Sequence, residues 1–265
     1  MKKQEYSLIT AARNEEKYIG STIEAVISQT IKPLNWIIVS DCSTDNTDSI
    51  VNEYVDKYPF IRLERIDRDG HRDFASKSNA LNLAFNKITN NNVDYVGNLD
   101  ADITFKNNYY EEIITKFEEN PYLGIGGGFI HEKYRGKFRS RSNNRTESVA
   151  GAVQLFRRKC YIDIGGYPAL KYGGEDWYME VTARMLGWEC KSFRDITAYH
   201  HKLVANTLKA VIDDRIQDGR RDYTIGSHII FEIIKSIGRW KDRPILLATL
   251  LRIFGYINQG FQNDQ

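Results

Sequence analysis

The sequence predicts an α/β fold with a mostly parallel sheet, helices on both faces of that sheet, and a helical C-terminal extension. Through the first 120 residues, short apolar runs alternate with segments of helical periodicity. Strands that alternate with helices imply right-handed crossovers and a parallel sheet. Beyond residue 204 the pattern is mainly helical. We therefore predict one large domain at residues 1–203, with halves at 1–120 and 121–203, and an extension at 204–265.

The first half contains four predicted strands, each a buried apolar run. They lie at residues 6–11, 36–39, 61–66 and 95–99. A stripe of apolar residues at helical spacing follows each strand and predicts four amphipathic helices. The stripes are Ile19, Ile23, Val26 and Ile27; Ile50, Val51, Tyr54 and Tyr58; Leu81, Ala84, Phe85 and Ile88; and Tyr110, Ile113, Ile114 and Phe117. Asp45-Asn46-Thr47 can cap the second helix, and the fourth should stop near Pro121.

The second half is less regular than the first. We predict an extended glycine-rich segment at 123–130, a basic surface loop at 133–145 and a strand at 149–156. A helix at 177–186, a short strand at 189–193 and helix from Thr207 onward complete the prediction. We interpret the basic segment as a solvated loop rather than a flap over a ligand.

Bulk composition excludes several classes of protein. The 42% hydrophobic content of the 265 residues is enough for a sizeable core, and the net charge of +2 gives no sign of a nucleic-acid partner. Cys42, Cys160 and Cys190 are widely spaced and form no Cys-x-x-Cys, which predicts neither a disulfide framework nor a zinc site. No apolar leader follows Met1, so we expect a cytoplasmic protein.

Two acids at the end of the fourth strand are the strongest sign of chemistry. Asp100 and Asp102 directly follow a short apolar run, and ligands bind at the carboxyl edge of open parallel sheets. Two carboxylates can hold a divalent cation, since Mg²⁺ commonly uses one or two carboxylates plus substrate phosphates. We predict a Mg²⁺ or Mn²⁺ site at Asp102 and Asp100. A downstream histidine, His200 in preference to His201, is the expected further ligand.

Polar clusters follow all four predicted strands, at residues 11–15, 41–45, 68–71 and 100–102. Because parallel strands end at the same edge of a sheet, these clusters should line one site, together with Lys77. Neither a Gly-x-Gly-x-x-Gly nor a Walker-type loop is present, which argues against dinucleotide binding and P-loop phosphate chemistry.

A fifth cluster, Gly173-Gly174-Glu175-Asp176-Trp177, opens a predicted helix. Acids in a first helical turn gain about 0.3–1 kcal/mol from the helix dipole, which alone could explain both residues. Adjacent side chains diverge, however, so one acid could face the pocket as a general base while the other caps the helix.

Taken together, these motifs resemble those of family-2 glycosyltransferases, which have the Rossmann-like nucleotide-diphospho-sugar transferase fold, often called glycosyltransferase A. The resemblance runs from Tyr6 to about His201. The matching motifs are Arg13-Asn14-Glu15, the first donor loop; Asp41 to Thr47, the Asp-x-Ser-x-Asp-x-Thr element; Lys77-Ser78-Asn79, the basic-residue-x-Asn step; Asp100-Ala101-Asp102, the metal motif; Glu175-Asp176, the Glu-Asp motif; and His200 or His201, the metal histidine.

The resemblance implies an inverting, metal-dependent transferase acting in cell-envelope glycan or glycolipid synthesis. A UDP- or GDP-linked sugar would be the donor, and a hydroxyl of a glycan or lipid-linked molecule the acceptor. Residues 1–120 would bind the donor, through Ala11, Arg13, Glu15, Asp41, Lys77 and Asp100. Residues 121–203 would bind the acceptor through Trp177 and Tyr178, with Asp176 as the catalytic base and Glu175 beside it.

Three positions depart from the family pattern. Ala12-Arg13 stands where many members have Pro-x-Tyr or Pro-x-Phe, which puts base stacking there in doubt, and Lys77 replaces a more usual Arg. Residues 217–221 only partly resemble the Gln-x-x-Arg-Trp of processive polysaccharide synthases, because the Trp is missing. We therefore expect transfer of a single sugar.

Two alternative functions use the same residues. Asp100-Ala101-Asp102-Ile103-Thr104 matches the Asp-x-Asp-x-Thr pattern of haloacid dehalogenase-like phosphohydrolases, in which the first Asp is the nucleophile. That pattern normally opens a domain, whereas nearly a hundred residues precede it here. A non-catalytic sugar-nucleotide-binding scaffold would be expected to lack a base or a metal ligand, but Asp102, Asp176 and His200 are all present.

The apolar run at 245–257 raises the question of membrane contact. It is interrupted by Arg252 and is shorter than the ~20 residues that span a bilayer. Basic residues surround it: Lys235, Arg239, Lys241, Arg243 and Arg252. Such a helix can lie in a membrane interface and attract anionic lipid, or it can pack against the large domain or a second subunit. We predict peripheral, salt-sensitive membrane association, with a homodimer as the other option.

Overall fold

The computed structural model describes residues 4–67, 75–88, 93–134, 136–142, 144–202, 208–240 and 244–263. The chain forms two compact units. Unit 1 comprises Met1–Arg72, Ser76–Pro168 and Glu175–Leu203. Unit 2 comprises Asp73–Ala75, Ala169–Gly174 and Val204–Gln265. The extension predicted from residue 204 onward falls in unit 2, but two short segments earlier in the chain also belong to that unit. A domain boundary at residue 203 therefore stays a prediction.

Four parallel strands form the first half of the sheet in unit 1. They are β1 (Tyr6–Ala12), β2 (Asn35–Asp41), β3 (Ile61–Ile66) and β4 (Tyr95–Asn98), in the spatial order β3-β2-β1-β4. Every residue of β2 and β4 is buried, as expected for strands covered on both faces. All four strands were predicted from their apolar runs.

A helix follows each of β1, β2 and β3, and a fourth helix follows the short strand after β4. They are α1 (Ile19–Ile27), α2 (Thr47–Val55), α3 (Ala75–Ile88) and α4 (Tyr109–Glu119). Asp45 Oδ1 accepts from the backbone N–H of Thr47 at 3.0 Å and so satisfies the start of α2, as predicted. The last of these helices ends two residues before Pro121.

The second half of the sheet is mixed. Its strands are β5 (Ile103–Phe105), β6 (Leu123–Tyr134), β7 (Lys137–Ser140), β8 (Leu155–Arg157) and β9 (Glu189–His200). The order continues β4-β8-β6-β9-β5, with β7 paired to β6. Strands β6 and β9 run parallel, and the remaining pairs in this half are antiparallel. Two helices lie among these strands, α5 (Arg158–Ile164) and α6 (Glu175–Met185).

Three of our predictions for this half were wrong. The basic segment at 133–145 is not simply a loop, because β6 and β7 form a hairpin there and Phe138 packs on Tyr199 with ring centroids 5.0 Å apart. The strand expected at 149–156 is a 3₁₀ turn (Gly151–Val153) followed by β8. The strand predicted at 189–193 is longer than expected, because β9 continues seven residues past Phe193, across an irregularity in its pairing with β6.

Helices cover both faces of the sheet, which confirms the predicted α/β class, although the sheet is parallel throughout only in its first half. Leu8 and Ile9 are neighbours on β1 and point to opposite faces. Leu8 belongs to an apolar cluster with residues of α1 and α4 such as Ile23 and Ile113. Ile9 belongs to a second cluster, which includes Leu81 of α3. The sheet is therefore buried from both sides, and its strand ends are left to carry polar groups.

Unit 2 contains the predicted helical extension. Its helices are α7 (Leu208–Thr224), α8 (Ile229–Gly238) and α9 (Leu247–Asn263). Helices α7 and α9 cross at two glycines: a Cβ at Gly219 would overlap the carbonyl oxygen of Arg252, and one at Gly255 would overlap that of Ile216. Within the described ranges, every helix falls short of the length and apolar character that a membrane span requires.

Candidate active site

The loops after β1 and β2 are tied together at the carboxyl edge of the sheet. The backbone N–H of Asn14 donates to Ser43 Oγ at 3.2 Å, and Asn14 Oδ1 accepts from the N–H of Thr44 at 2.8 Å. Asn14 and Cys42 both have φ of 54°, which is uncommon for residues other than glycine. Such strain persists only where the surroundings enforce it, and it concentrates at functional sites.

Asp41 is buried at the end of β2, with 5% of its surface exposed. Arg13 Nη1 lies 3.9 Å from Asp41 Oδ2, so the two predicted donor-binding residues are brought together. Ala11 lies near the end of β1 and packs against the second apolar cluster, so its side chain adds no polar group. The cluster predicted at 68–71 lies outside the described residues.

Glu15 is a half-buried carboxylate with only one of its oxygens paired. Lys202 Nζ donates to Glu15 Oε1, whereas Oε2 is buried and has no hydrogen-bond partner. Burial raises the pKa of Glu15; the Lys202 ammonium opposes this shift, and the charges of Asp102 and Asp100 add to it. Lys202 was missed from the sequence, where its only signal is its position two residues after His200.

Asp102 and His200 form a pair next to the end of β4. His200 Nε2 lies 3.0 Å from Asp102 Oδ2, and Asp102 is 5% exposed. The hydrogen bond to Asp102 raises the pKa of His200, and partial burial of the imidazole opposes that shift. The pairing of β5 with β9, which sets Ile103 opposite His200, brings the two together.

His201 points away from Asp102, because successive side chains on an extended segment alternate in direction. Its Nε2 lies 2.7 Å from Thr104 Oγ1, and its ring packs edge-on against Phe138. Burial lowers the pKa of His201. Of the two histidines left open by the sequence, His200 is therefore the one placed beside the acidic motif.

Lys77, in the first turn of α3, is paired with one acidic motif and is also influenced by the charge of the other. Its Nζ donates to Asp100 Oδ1 at 2.8 Å. Burial alone would lower the pKa of Lys77, but the charges of Asp100, Glu175 and Asp176 together raise it. Burial raises the pKa of Glu175, and Lys77 opposes this shift. The ammonium group of Lys77 thus lies within the electrostatic field of Asp100, which follows β4, and of the two acids at the start of α6.

Asp176 occupies the first turn of α6, tightly packed against the 3₁₀ turn. Its Oδ1 accepts from the backbone N–H of Trp177 at 2.8 Å. A Cβ at Gly151 would lie 2.8 Å from the Cβ of Asp176 and 2.9 Å from its Oδ2. Only glycine therefore permits this close approach. Trp177 and Tyr178 are 46% and 40% exposed, so both are accessible to a ligand.

Two buried polar side chains hold this turn against α6. Gln154 donates from Nε2 to the carbonyl oxygens of Val149 and Asp176, at 3.2 and 3.4 Å. Its Oε1 accepts from the Tyr167 hydroxyl at 2.9 Å. Glu180 accepts from the backbone N–H of Val149, and burial raises the pKa of this carboxyl. Neither residue was singled out from the sequence, because each acts through partners distant along the chain.

The donor groups at this edge suit a hard cation, although they do not form a complete cage. No three His, Cys, Asp or Glu side chains within the described segments are arranged to hold a metal ion on their own. Asp102 and His200 are nevertheless adjacent, and the second oxygen of Glu15 is buried without a partner. Mg²⁺ sites typically use one or two carboxylates and complete their coordination with substrate phosphates and water. The residues present therefore fit such an ion.

The chain is similar in sequence to known glycosyltransferases. An uncharacterized glycosyltransferase from Haemophilus influenzae is 31% identical over 126 residues, which cover 47% of this chain and 36% of the relative. Poly-beta-1,6-N-acetyl-D-glucosamine synthase from Staphylococcus epidermidis is 29% identical over 177 residues, or 60% of this chain and 41% of the relative. The chain thus spans less than half the length of these curated relatives.

Solved structures share the fold. Mannosyltransferase PcManGT from Pyrobaculum calidifontis, in complex with GDP-Man and Mn²⁺, aligns with a TM-score of 0.61 and 18% identity over 98% of this chain and 74% of its own. S. aureus TarS 1-349, in complex with UDP-GlcNAc, aligns with a TM-score of 0.57 and 16% identity over 98% and 73%. The sequence model of glycosyl transferase family 2 matches residues 7–173, well over half of the chain. The chain therefore belongs to glycosyl transferase family 2 and has the glycosyltransferase A fold.

Proposed function

We propose that this glycosyltransferase moves one sugar from a UDP- or GDP-linked donor to a hydroxyl acceptor, with inversion at the anomeric carbon. The observation that carries the proposal is the position of Lys77, hydrogen-bonded to Asp100 and within the field of Glu175 and Asp176. The charge of Lys77 therefore acts both on an acid proposed to bind the donor and on the acids proposed to act on the acceptor. The phosphohydrolase alternative, with Asp100 as nucleophile, is excluded by family membership.

The donor is proposed to bind at the loops after β1 and β2. Asp41 can accept a hydrogen bond from an N–H of the nucleotide base, and Arg13 beside it can contact the donor. Lys77 can contact the diphosphate as a fixed positive charge. The complexes of fold neighbours with GDP-Man and UDP-GlcNAc support a nucleotide-sugar donor without choosing between the two nucleotides.

A divalent cation, Mn²⁺ or Mg²⁺, is proposed to be held by Asp102 and His200, with Asp100 nearby. When bound, it would supply Lewis-acid stabilisation of the negative charge on the nucleoside diphosphate. Asp102 is buried and oriented by its hydrogen bond to His200, so its position is set before any ligand arrives. The Mn²⁺ in one fold neighbour supports this assignment.

Asp176 is proposed to take the proton of the acceptor hydroxyl as that oxygen attacks the anomeric carbon. The bond to the nucleoside diphosphate breaks in the same displacement, and the leaving group departs with its electron pair. Positioned base catalysis is worth about 10²–10⁴-fold in rate. A single base without a covalent nucleophile gives inversion. Gly151 and Gln154 position Asp176, and Trp177 and Tyr178 are proposed to contact the acceptor.

The acceptor is proposed to be a cell-envelope glycan or a lipid-linked precursor. The support is a curated relative that is named a polysaccharide synthase, over a match of 41% of that protein's length. We propose single-sugar transfer because Arg221 stands where the Gln-x-x-Arg-Trp motif of processive synthases has its Trp.

A panel of UDP- and GDP-sugars tests the proposal, with nucleoside diphosphate release and thermal shift measured in Mn²⁺, Mg²⁺ or EDTA. We expect release from one nucleotide class, dependent on the cation, and proton NMR of the product should show inverted anomeric configuration. Full transfer in excess chelator would defeat the metal assignment. If a nucleotide sugar shifts the melting temperature but no acceptor that is tried gives turnover, the non-catalytic scaffold is supported instead.

A further inference from the structure

The two C-terminal helices of unit 2 expose large apolar side chains along their length. On α8 these are Ile230, Phe231, Ile233, Ile234 and Ile237; on α9 they are Leu247, Leu250, Phe254, Ile257 and Phe261. Ile245 and Leu246, just before α9, are 63% and 64% exposed. Soluble proteins rarely expose contiguous apolar patches of this extent unless the patch meets a partner or a membrane.

The interior of the same unit is polar. Glu232, Ser236 and Arg252 are fully buried, and Ser236 Oγ donates to Glu232 Oε1 at 2.8 Å. Lys235 pairs with Asp222, and Arg252 Nε lies 3.4 Å from the carboxylate of Asp218. A buried charge is costly unless it is paired, and the ion pairs of Lys235 and Arg252 meet this requirement inside unit 2.

Helix α9 shows most clearly that polar residues face inward and apolar residues face outward. Its inner positions are Ala248, Arg252, Gly255 and Gln259, all buried, and its outer stripe is the five large apolar residues given above. An ordinary surface helix has the opposite distribution, with its apolar stripe facing the core. Small residues and buried charges inside, with large apolar residues outside, are typical of helices whose surroundings are lipid.

We propose that α8, α9 and the exposed residues Ile245 and Leu246 before α9 form an in-plane membrane-binding surface that takes anionic lipid. The helices have 10 and 17 residues, and a helix needs about 20 to cross a bilayer, so both would lie along the interface. Arg252 and Glu232 are buried and Lys235 is paired with Asp222, so the remaining charged residues of 229–263 are three Lys or Arg and one Asp, all between 239 and 243. An anionic leaflet attracts such a positive excess. At the end of α8, Arg239 is exposed and Trp240 is 47% exposed, a pairing suited to the headgroup region.

A second copy of this chain is the competing occupant. The spacing of Leu247, Leu250, Phe254, Ile257 and Phe261 would also suit a seam between two helices. Two observations favour lipid. The exposed apolar surface extends over both helices and the segment before α9, which is wider than one helical seam. A symmetric dimer through this face would also bring two copies of the same positive excess together.

The test is flotation of the full chain with phosphatidylcholine vesicles, with and without phosphatidylglycerol, at low and high salt. We expect flotation with anionic vesicles at low salt and release as salt rises. The double variant Leu250→Asp/Phe254→Asp should bind at least about tenfold more weakly, because two large apolar contacts are lost. Met185→Asp, at an apolar position of unit 1 that is 82% exposed, is the matched control and should float like the wild type. Circular dichroism confirms that each variant is folded.

Three further measurements separate lipid from a second copy. Addition of anionic vesicles should shift the fluorescence of the wild type, and Trp240→Phe should abolish this shift. Trp177→Phe is the matched control, since Trp177 is 46% exposed in unit 1. Arg239→Glu should weaken binding to anionic vesicles only. If the folded wild type fails to float at low salt, or if light scattering shows a dimer that the α9 variant dissociates, the face is not a lipid surface and the proposal is overturned.

Discussion

His200 Nε2 lies 3.0 Å from Asp102 Oδ2, while the adjacent His201 contacts Thr104 on the opposite side of the strand. The pKa of His200 is raised by its hydrogen bond to Asp102, and that of His201 is lowered by burial. Two consecutive histidines therefore respond to pH in opposite directions. This difference can be measured without any ligand.

The first prediction concerns the stability of the metal-free protein against pH. A histidine with a raised pKa stabilises the fold fully below its unfolded value of about 6.5, and this contribution is lost as pH rises through the folded pKa. The destabilisation caused by His200→Gln should therefore shrink as pH rises above about 6.5. His201 has the opposite sign, so wild type should lose stability relative to His201→Gln as pH falls below that value. Thermal unfolding in EDTA across this range is the measurement, and equal pH slopes for the two variants would contradict the assignment.

The second prediction concerns Lys77. Lys77→Met should lower kcat/KM about 10²–10³-fold, because a fixed charge at the diphosphate is lost. Lys77→Arg keeps the charge and should retain more activity. Lys87→Met is the matched control, since Lys87 lies on the same helix and pairs with Glu64 at 2.7 Å. Equal losses in the Lys77→Met and Lys87→Met variants would show that the effect is structural rather than electrostatic.

The third prediction concerns the catalytic base. Asp176→Asn keeps the shape of the side chain and removes the proton acceptor, so turnover should fall by about 10²–10⁴-fold. Affinity for the nucleoside diphosphate, measured by calorimetry, should stay near the wild-type value. Glu175→Gln should be milder. Should Asp176→Asn turn over normally while Glu175→Gln does not, the base is Glu175.

The fourth prediction concerns Asp41. Removing a hydrogen bond to a charged group should cost about 1.5–3 kcal/mol, so Asp41→Ala should weaken nucleoside diphosphate binding by that amount. Asp67→Ala is the control, because the side chain of Asp67 is 75% exposed and pairs with Arg65. Titration calorimetry with UDP and GDP decides the matter, and unchanged affinity in Asp41→Ala would rule out a role in reading the base.

The fifth prediction concerns Gly151. A methyl group there would press on the Cβ of Asp176, so Gly151→Ala should reduce kcat roughly 10- to 100-fold through misplacement of the carboxylate. Nucleotide affinity should change little. Gly20→Ala is the control, since its Cβ would meet only Ile50 at an ordinary 3.7 Å. Full activity in Gly151→Ala would mean that α6 tolerates a shift of its first turn.

The parts of the fold that sequence reasoning found are those with a local signal. Strands such as β1 and β2 are apolar runs buried on both faces, and α4 has a stripe at helical spacing that ends before Pro121. The parts that it missed depend on distant partners. Strand β5 has three residues and exists through its pairing with β9. The hairpin of β6 and β7 is rich in charge, so its alternation is hidden by basic residues.

The candidate site divides in the same way. Asp41, Asp100, Asp102 and Asp176 could be selected because polar groups at strand ends and at helix starts form short motifs. Lys202 and Gln154 could not, since each contributes one polar group to a partner far along the chain. Gly151 is important only because Asp176 lies against it, which no spacing in the sequence reveals.

Cys42 sits at φ 54° immediately after Asp41, and its backbone N–H donates to the carbonyl oxygen of Ile66 at 3.0 Å. A left-handed backbone costs a residue with a Cβ roughly 1–2 kcal/mol. Cys42→Gly would recover part of that free energy, although glycine also makes the unfolded chain more flexible. Selection for heat resistance alone should therefore favour substitutions at Cys42, in the loop after β2 where the donor is proposed to bind. Because this loop positions Asp41, the most heat-resistant variants are the ones whose turnover should be measured first.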